Sequence, residues 1–344
     1  MRILIVMDPG ILVPPRSYGG HERLVYMFAK EYARLGHEVH LLVTKGSLVE
    51  GCTVHGFGKE GFPPKKISAL MAIPKVWWFL LKYGKRFDLI HNFGRLAYLL
   101  PVISHSVKKI MTYGREITTE NIKNINKLKN INLVFTGCSD DLISRGSGSG
   151  RWKTVYNAID FRNYKLNETI EESAPLMFLG RIERVKGCHI AIRVALETGN
   201  SLIIGGNISP LPDEKKYFKE RIEPYIDGKQ IIFLGPLNDI EKNTYLGKAK
   251  ALLFPIEWDE PFGMVMVEAM ACGTPVIAFK RGSVPEVVED EKNGYVVNDL
   301  DEMKKKLKFI FKISRSENRN IAYKKFDVSV IAKTYLSLFD SEIN

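Results

Sequence analysis

The sequence predicts an α/β protein of two doubly wound, parallel-sheet domains, and three observations carry that reading. Apolar runs of strand length alternate with helical patterns along nearly the whole chain. The alternation stops once, at the glycine-rich RGSGSGR of residues 145–151 and the polar stretch that reaches Ser173, and then resumes. The length, 344 residues, exceeds one ordinary core and suits two domains.

In the first half, RILIVM reads as a buried strand and HERLVYMFAKEYARLG as a helix, with Pro14, Pro15, Gly19 and Gly20 in the loop between them. HEVHLLV from His37, FDLIHNF from Phe87, KKIMTY and LVFTGCS read as further strands. The second series begins with PLMFLGRI at Pro175 and continues through SLIIGGN, QIIFLGPL, ALLFPI and PVIAF. The last segment, VSVIAKTYLSLF, is an amphipathic helix expected to cross back onto the first domain. The expected division is 1–157 with the crossover helix 326–344, and 158–325. Two open parallel sheets place a ligand cleft beyond the carboxyl ends of their strands.

Composition narrows the class. With 45% hydrophobic and 26% charged residues the chain is of soluble globular type. The opening MRILIVMDPG carries an apolar run too short for a secretory leader. ISALMAI from Ile67 is interrupted by Pro74 and Lys75, so no span of a bilayer is expected. Cys52, Cys138, Cys188 and Cys272 show no metal-ligand or disulfide spacing, which suits a reducing cytoplasm. Of the net charge of +11, residues 1–150 hold +10, from 21 Lys plus Arg against 11 Asp plus Glu. That half therefore favours an anionic partner. Its densest stretch, residues 62–87, mixes Lys65, Lys66, Lys75, Lys82, Lys85 and Arg86 with Trp77, Trp78 and Phe79. Such interleaving suits an anionic membrane face on the cytoplasmic side, or a core helix with solvated lysines. No nucleic-acid motif accompanies it, so no nucleic-acid partner is expected.

The segment EWDEPFGMVMVEAMACGTPVIAF is the most informative. Gly263 opens a helix of Met264–Ala271, Gly273 stops it, and Pro275 prevents continuation. Glu260 lies in the entering loop and Glu268 within the helix. Counted as eight helical steps they stand about 12 Å apart, beyond the roughly 5 to 9.5 Å of paired glycosidase carboxylates. Carboxylates so placed about a positive helix end suit an extended ligand with hydroxyls at both ends and phosphate between, as in a nucleotide sugar. They equally suit a capping acid and a solvated helix residue. In GRIERVKG, Arg181 and Lys186 leave a strand in a glycine-flanked loop that opens a helix, where cations and amides can converge on phosphate; the residues alone equally suit two solvated loop cations. Gly19-Gly20 lets backbone approach a ligand, yet matches neither GxGxxG nor the P-loop.

Together these segments resemble the retaining glycosyltransferases of family 4, also grouped as glycosyl transferases group 1, which pair two facing Rossmann-like domains in the GT-B fold. The resemblance covers nearly the whole chain. It rests on PPRSYGGHERLVYMFAKEYARLGHEVHLLV, FDLIH, VYNAID, LGRIERVKG, EPFGMVMVEAMACGTPVIA with its E-x7-E spacing, and VPEVVEDEKNGYVV.

The resemblance implies a metal-independent, cofactor-free transfer of a hexosyl-type sugar from a nucleoside diphosphate to an acceptor hydroxyl. The acceptor would be free or lipid-linked, in polysaccharide or glycoconjugate assembly, and domain closure would exclude water. Arg181 and Lys186 would hold the diphosphate and stabilise the leaving group. Glu260 would contact the sugar hydroxyls and Glu268 the ribose. The backbone of Phe262, Gly263, Met264 and Val265 would meet sugar or phosphate. Gly19 and Gly20 would border the reaction centre, and Leu234, Gly235 and Pro236 would pass near the base. The acceptor side departs from the pattern. Where many relatives carry a histidine after the strand corresponding to KKIMTY, this chain has Gly114 followed by Arg115. A second such histidine is here Phe93; His91 remains as the nearby imidazole, although a histidine at a strand end more often serves the core than a ligand. The one D-x-D string, Asp299 to Asp301, falls away from any strand end. Rivals of the same architecture are a nucleotide-sugar epimerase, a phosphorylase, or a non-catalytic nucleotide-sugar binder.

Overall fold

The structure, a computed structural model, describes residues 1–16, 19–61, 66–128 and 132–342. Contacts divide the chain into two compact units, Met1–Ala158 with Val328–Asn344, and Ile159–Asp327.

In the first unit the strands are β1 (Arg2–Val6), β2 (Glu38–Thr44), β3 (Thr53–Phe57), β4 (Leu89–Asn92), β5 (Lys108–Tyr113), β6 (Leu133–Gly137) and β7 (Trp152–Thr154). They form one parallel sheet in the order β3-β2-β1-β4-β5-β6-β7, so the order reverses between β1 and β4. The central strands are buried on both faces, Ile3 to Val6 and Ile90 fully so, which explains their unbroken apolar runs. The edge strands β3 and β7 carry TVHGF and WKT. Part-exposed, neither has the apolar run by which the inner strands are legible, and sequence reading passes over both. The helices are α1 (Gly20–Arg34), α2 (Lys66–Tyr83), α3 (Thr119–Asn126) and α4 (Asp140–Gly146). Ser139 caps α4 by accepting from the Leu142 amide. Helix α2 continues through Pro74, the residue that with Lys75 interrupts its apolar run. Buried Ala72, Val76, Phe79 and Leu80 hold it to the unit, and Trp77 Nε1 donates to Ala97 O at 2.8 Å. That packing outweighs the lost ladder bond. Residues 62–65 of the basic stretch lie outside the described residues, as do Ser17 and Tyr18. Among the described residues no helix is long and apolar enough to cross a membrane.

In the second unit the strands are β8 (Leu176–Leu179), β9 (Leu202–Gly205), β10 (Ile231–Gly235), β11 (Ala251–Phe254), β12 (Val276–Phe279) and β13 (Gly294–Val297). Their order is β10-β9-β8-β11-β12-β13, all parallel, with the reversal between β8 and β11. The helices are α5 (Cys188–Thr198), α6 (Pro212–Arg221), α7 (Asp239–Lys248), α8 (Met264–Ala271), α9 (Val284–Val287), α10 (Leu300–Leu307) and α11 (Arg315–Phe326). Asn238 and Glu241 make a capping box at α7. Asp299 caps α10 by accepting from the Glu302 amide, which gives the D-x-D string a structural role.

The last α-helix, α12 (Val328–Leu336), is grouped with the first unit. Tyr335 on it packs edge-on to Phe28 of α1, with ring centroids 5.2 Å apart.

Candidate functional site

The candidate donor site lies in the second unit, at the carboxyl ends of β8 and β11, where the strand order reverses. The loop after β8 carries Arg181 and Lys186, and the loop after β11 carries Trp258 and Glu260. Their close approach depends on Gly187, at φ 75°, where a Cβ would overlap the Pro255 carbonyl oxygen. The Glu257 amide donates to Val185 O at 2.8 Å and ties the two loops together. Gly282 makes a second close approach, since a Cβ there would stand 2.6 Å from the Glu260 nitrogen. The Ser283 amide donates to Glu260 O at 3.0 Å, so the backbone of Glu260 is held from both sides.

The side chains converge accordingly. Lys186 Nζ donates to Glu260 Oε2 at 2.5 Å, and Trp258 Nε1 donates to the same oxygen at 2.9 Å. The Lys186 ammonium also lies 4.8 Å from the centroid of the Trp258 ring. Arg181 is part-exposed and pairs with Glu183 at 2.8 Å. Glu260 opens the turn into α8, whose first amides, at Met264 and Val265, have no carbonyl one turn back within the helix. Gly263 stands before them in the left-handed region at φ 76°. The site thus offers a lysine, a guanidinium and helix-end amides to an anion, and a carboxylate to a hydroxyl.

Glu268, 7% exposed on α8, has a separate set of partners. Its Oε1 accepts from Tyr164 Oη at 3.1 Å and from Lys242 Nζ at 3.0 Å. Burial pulls the Lys242 pKa down, and Glu268 with Asp239 more than reverses it, leaving the lysine charged. Burial and then Glu268 push the Tyr164 hydroxyl up, which keeps it a donor. Both donors meet at one oxygen and fix the carboxylate. The helix begins only at Met264, so the eight-step helical rise taken from the sequence overcounts the helix by its first turn. The separate partners of the two carboxylates still argue against a shared acid/base role. Leu234 and Gly235 end the edge strand β10, and Gly235 O accepts from the Gly206 amide at 2.7 Å before Pro236 leads away.

The first unit builds a polar group at the ends of β1, β4 and β5. Asp8 after β1 accepts from Tyr98 Oη at 2.8 Å and faces Arg95 at 3.5 Å and Arg115 at 3.7 Å. Gly19 precedes α1 at φ 148°, with Glu22 Oε2 2.9 Å from where a Cβ would stand, and Gly20 starts the helix. Glu22 is buried, and burial raises its carboxyl pKa. At Gly114 the space a side chain would fill holds the ring nitrogen Nε2 of His21. Burial, followed by the charge of Arg115, lowers the His21 pKa and favours the neutral ring.

His91 is a correction. It is fully buried on β4, bonded through Nδ1 to Tyr32 Oη at 3.1 Å and through Nε2 to Thr112 Oγ1 at 2.8 Å. Burial drives its pKa down to about 3. With both nitrogens used inside the core it has none for a ligand. Sequence reading passed over His21, Glu22 and Asp8 in the first unit, and Trp258, Tyr164 and Lys242 in the second. The GGHE string at the start of α1 was the available signal for the first two.

Residues 161–326 match the family described as glycosyl transferases group 1, and residues 18–113 match Glycosyltransferase Family 4. The putative glycosyltransferase YtcC of Bacillus subtilis (strain 168) is 27% identical over 251 residues, covering 62% of this chain and 61% of that protein. The chain thus spans about three fifths of that curated relative. The structure of AviGT4, a glycosyltransferase involved in avilamycin A biosynthesis, superposes with a TM-score of 0.74 at 23% identity, covering 98% of this chain and 96% of that one. Anabaena HepE in complex with UDP-glucose gives 0.71 at 21%, covering 99% and 100%. At those identities the structures establish the fold, two Rossmann-like units of GT-B type. The strand-end loops with Arg181, Lys186 and Glu260, the E-x7-E helix and the two family matches agree, and the chain belongs to the family 4, group 1 glycosyltransferases.

Proposed function

We propose that this chain is a retaining, metal-independent glycosyltransferase that moves a hexosyl group from a nucleoside diphosphate sugar to an acceptor hydroxyl in polysaccharide or glycoconjugate assembly. The observation that carries the reading is the Lys186–Glu260 pair, brought to 2.5 Å at the strand-order reversal by two loops that meet at Gly187. In this reading Arg181, Lys186 and the α8 amides receive the diphosphate and neutralise charge as it departs, with no resident cation needed. Glu260 orients the sugar hydroxyls, and Glu268 binds the ribose through the oxygen that Tyr164 and Lys242 leave open. Phe262 and Gly263 shape the approach, Leu234 to Pro236 run beside the base, and Gly19 and Gly20 let the start of α1 approach the reacting sugar. Arg115 with Asp8 serves the acceptor. HepE was seen with UDP-glucose, which makes that donor the first to test.

The first unit would work at an anionic membrane face, on the cytoplasmic side. Support comes from α2, where Met71, Trp78 and Leu81 are 63%, 59% and 66% exposed, spaced seven and three residues apart on one stripe, with Lys75 and Lys82 on the same helix and Lys85 in the turn that follows it. The test is thermal stabilisation by UDP-, GDP-, ADP- and TDP-sugars, then transfer by Glu260→Ala and Lys186→Ala. One donor should stabilise the protein, and both variants should fold but not transfer. Near-normal turnover in either refutes the assignment, and the anomeric configuration of the product, read by NMR, decides retention.

A further inference from the structure

Between the β3 edge and α2 the first unit holds an open groove of about 830 Å³, outside the strand-order reversal. Phe57, Trp78, Phe79 and Tyr83 line it, with Lys45, Lys59 and Lys75 among its walls. The three lysines come from different elements. Lys45 follows β2, Lys59 follows β3, and Lys75 lies in α2. All three are exposed, and none forms an ion pair among the described residues, whereas Lys30, Lys186 and Lys242 each hold a carboxylate. Phe57 and Phe79 are buried in the floor, and Trp78 reaches from the groove onto the exposed stripe with Met71 and Leu81. Lys82 lies 5.0 Å from the Trp78 ring and 5.1 Å from that of Tyr83, and Arg86 lies 5.1 Å from Tyr83, so cations steady the aromatic wall.

A planar bilayer accounts for the stripe, but a concave aromatic groove with unpaired lysines from three elements calls for a single multiply charged head carrying a hydrocarbon chain. We propose that this groove binds the diphosphate and first hydrocarbon units of a lipid-linked acceptor, with the lysines on the diphosphate and the chain running over Trp78 toward Met71 and Leu81. This deepens the proposed transferase reading and rests on it. It places the acceptor's anchor in the first unit, at a site distinct from the diphosphate site of the donor. Three ammonium groups match the two to three charges of a diphosphate better than the single charge of a fatty acid or a phosphodiester headgroup.

The test is calorimetric titration of the full chain with farnesyl diphosphate, inorganic pyrophosphate and farnesol, with UDP held saturating so that the donor site is filled. Farnesyl diphosphate should bind saturably, at least about tenfold more tightly than either fragment, because head and tail are held together. Lys45→Ser/Lys59→Ser/Lys75→Ser should weaken it about tenfold and leave UDP affinity unchanged. Trp78→Phe should remove the fluorescence change on binding. Equal binding of pyrophosphate, farnesyl diphosphate affinity unaltered in the triple variant, or binding to anionic vesicles without saturable farnesyl diphosphate binding would each overturn the proposal. UDP titrated alone is read separately, and its failure to bind would refute the donor assignment rather than the groove.

Discussion

Substituting Glu260 by Gln separates the two duties that the geometry assigns to the Lys186–Glu260 pair. The ammonium and the carboxylate are 2.5 Å apart, and both side chains retain some exposure, 21% and 14%. A phosphate oxygen bonded to the far side of the ammonium would stand about 5 Å from the carboxylate. At that separation like charges repel by roughly 0.8 kcal/mol at the dielectric of water and roughly 3 kcal/mol at an effective value of 20. Because the pair is part-solvated the lower figure governs, and Glu260→Gln should tighten UDP binding about fourfold. The amide oxygen still accepts from Trp258 Nε1, so the loop keeps its place. Transfer should nonetheless fall about a hundredfold or more, as when one group aimed at the reacting substrate is lost. Lys186→Met gives the opposite pattern on binding, weakening UDP about tenfold by loss of a charge-assisted bond. Calorimetry with UDP and initial-rate transfer assays on both variants read the two effects. A Glu260→Gln protein that binds UDP tenfold more weakly yet transfers normally would refute the division of roles.

Lys242→Met leaves the Glu268 carboxylate with Tyr164 alone, so it should cost about 3 kcal/mol in urea unfolding and weaken UDP, whereas Tyr164→Phe should cost about 1 kcal/mol. Gly187→Ala must carry a Cβ in the left-handed region against Pro255, and the displaced Lys186 should lower transfer about a hundredfold with no catalytic side chain removed. The His91 pKa is depressed to about 3, so its contribution to stability is present above the unfolded value near 6.5 and is lost as pH falls from there toward 3. Between pH 6.5 and 5.5 the wild type should lose about 1 kcal/mol more than His91→Gln in urea melts, because the unfolded imidazole is already half protonated at the upper limit, and parallel losses would show that His91 does not set the slope.

How much of this was legible in the sequence depended on whether a residue's partner lay nearby in the chain. Buried strands announced themselves as apolar runs, and Gly263 and Gly273 bounded α8 where they were expected to. The loop with Arg181 and Lys186 and the E-x7-E helix were read because each is a continuous segment. Trp258 was quoted within that segment and still missed, because its role depends on Lys186, which lies 72 positions earlier and meets it only through the fold. Tyr164 and Lys242 were missed for the same reason. His91 was kept as an acceptor-side candidate although a strand-end histidine more often serves the core, and the partners that decide for the core, Tyr32 and Thr112, lie 59 and 21 positions away in the chain.

The loop after β5 shows the limit most clearly. Read along the chain, Gly114 is a missing side chain, which suggested a lost contact. In the structure the space beside it is filled by the His21 ring, with Asp8 and Arg115 close enough to bias its charge. Position 114 is therefore constrained to be small by a residue 93 positions earlier. The packing unit there is the pair His21 and Gly114 rather than either residue. Gly114→Ala should consequently disturb the His21 ring while leaving UDP binding in the second unit intact. His21→Ala/Gly114→Ala should relieve the crowding and regain stability in urea unfolding, and a double variant no more stable than Gly114→Ala would show that the two positions are independent.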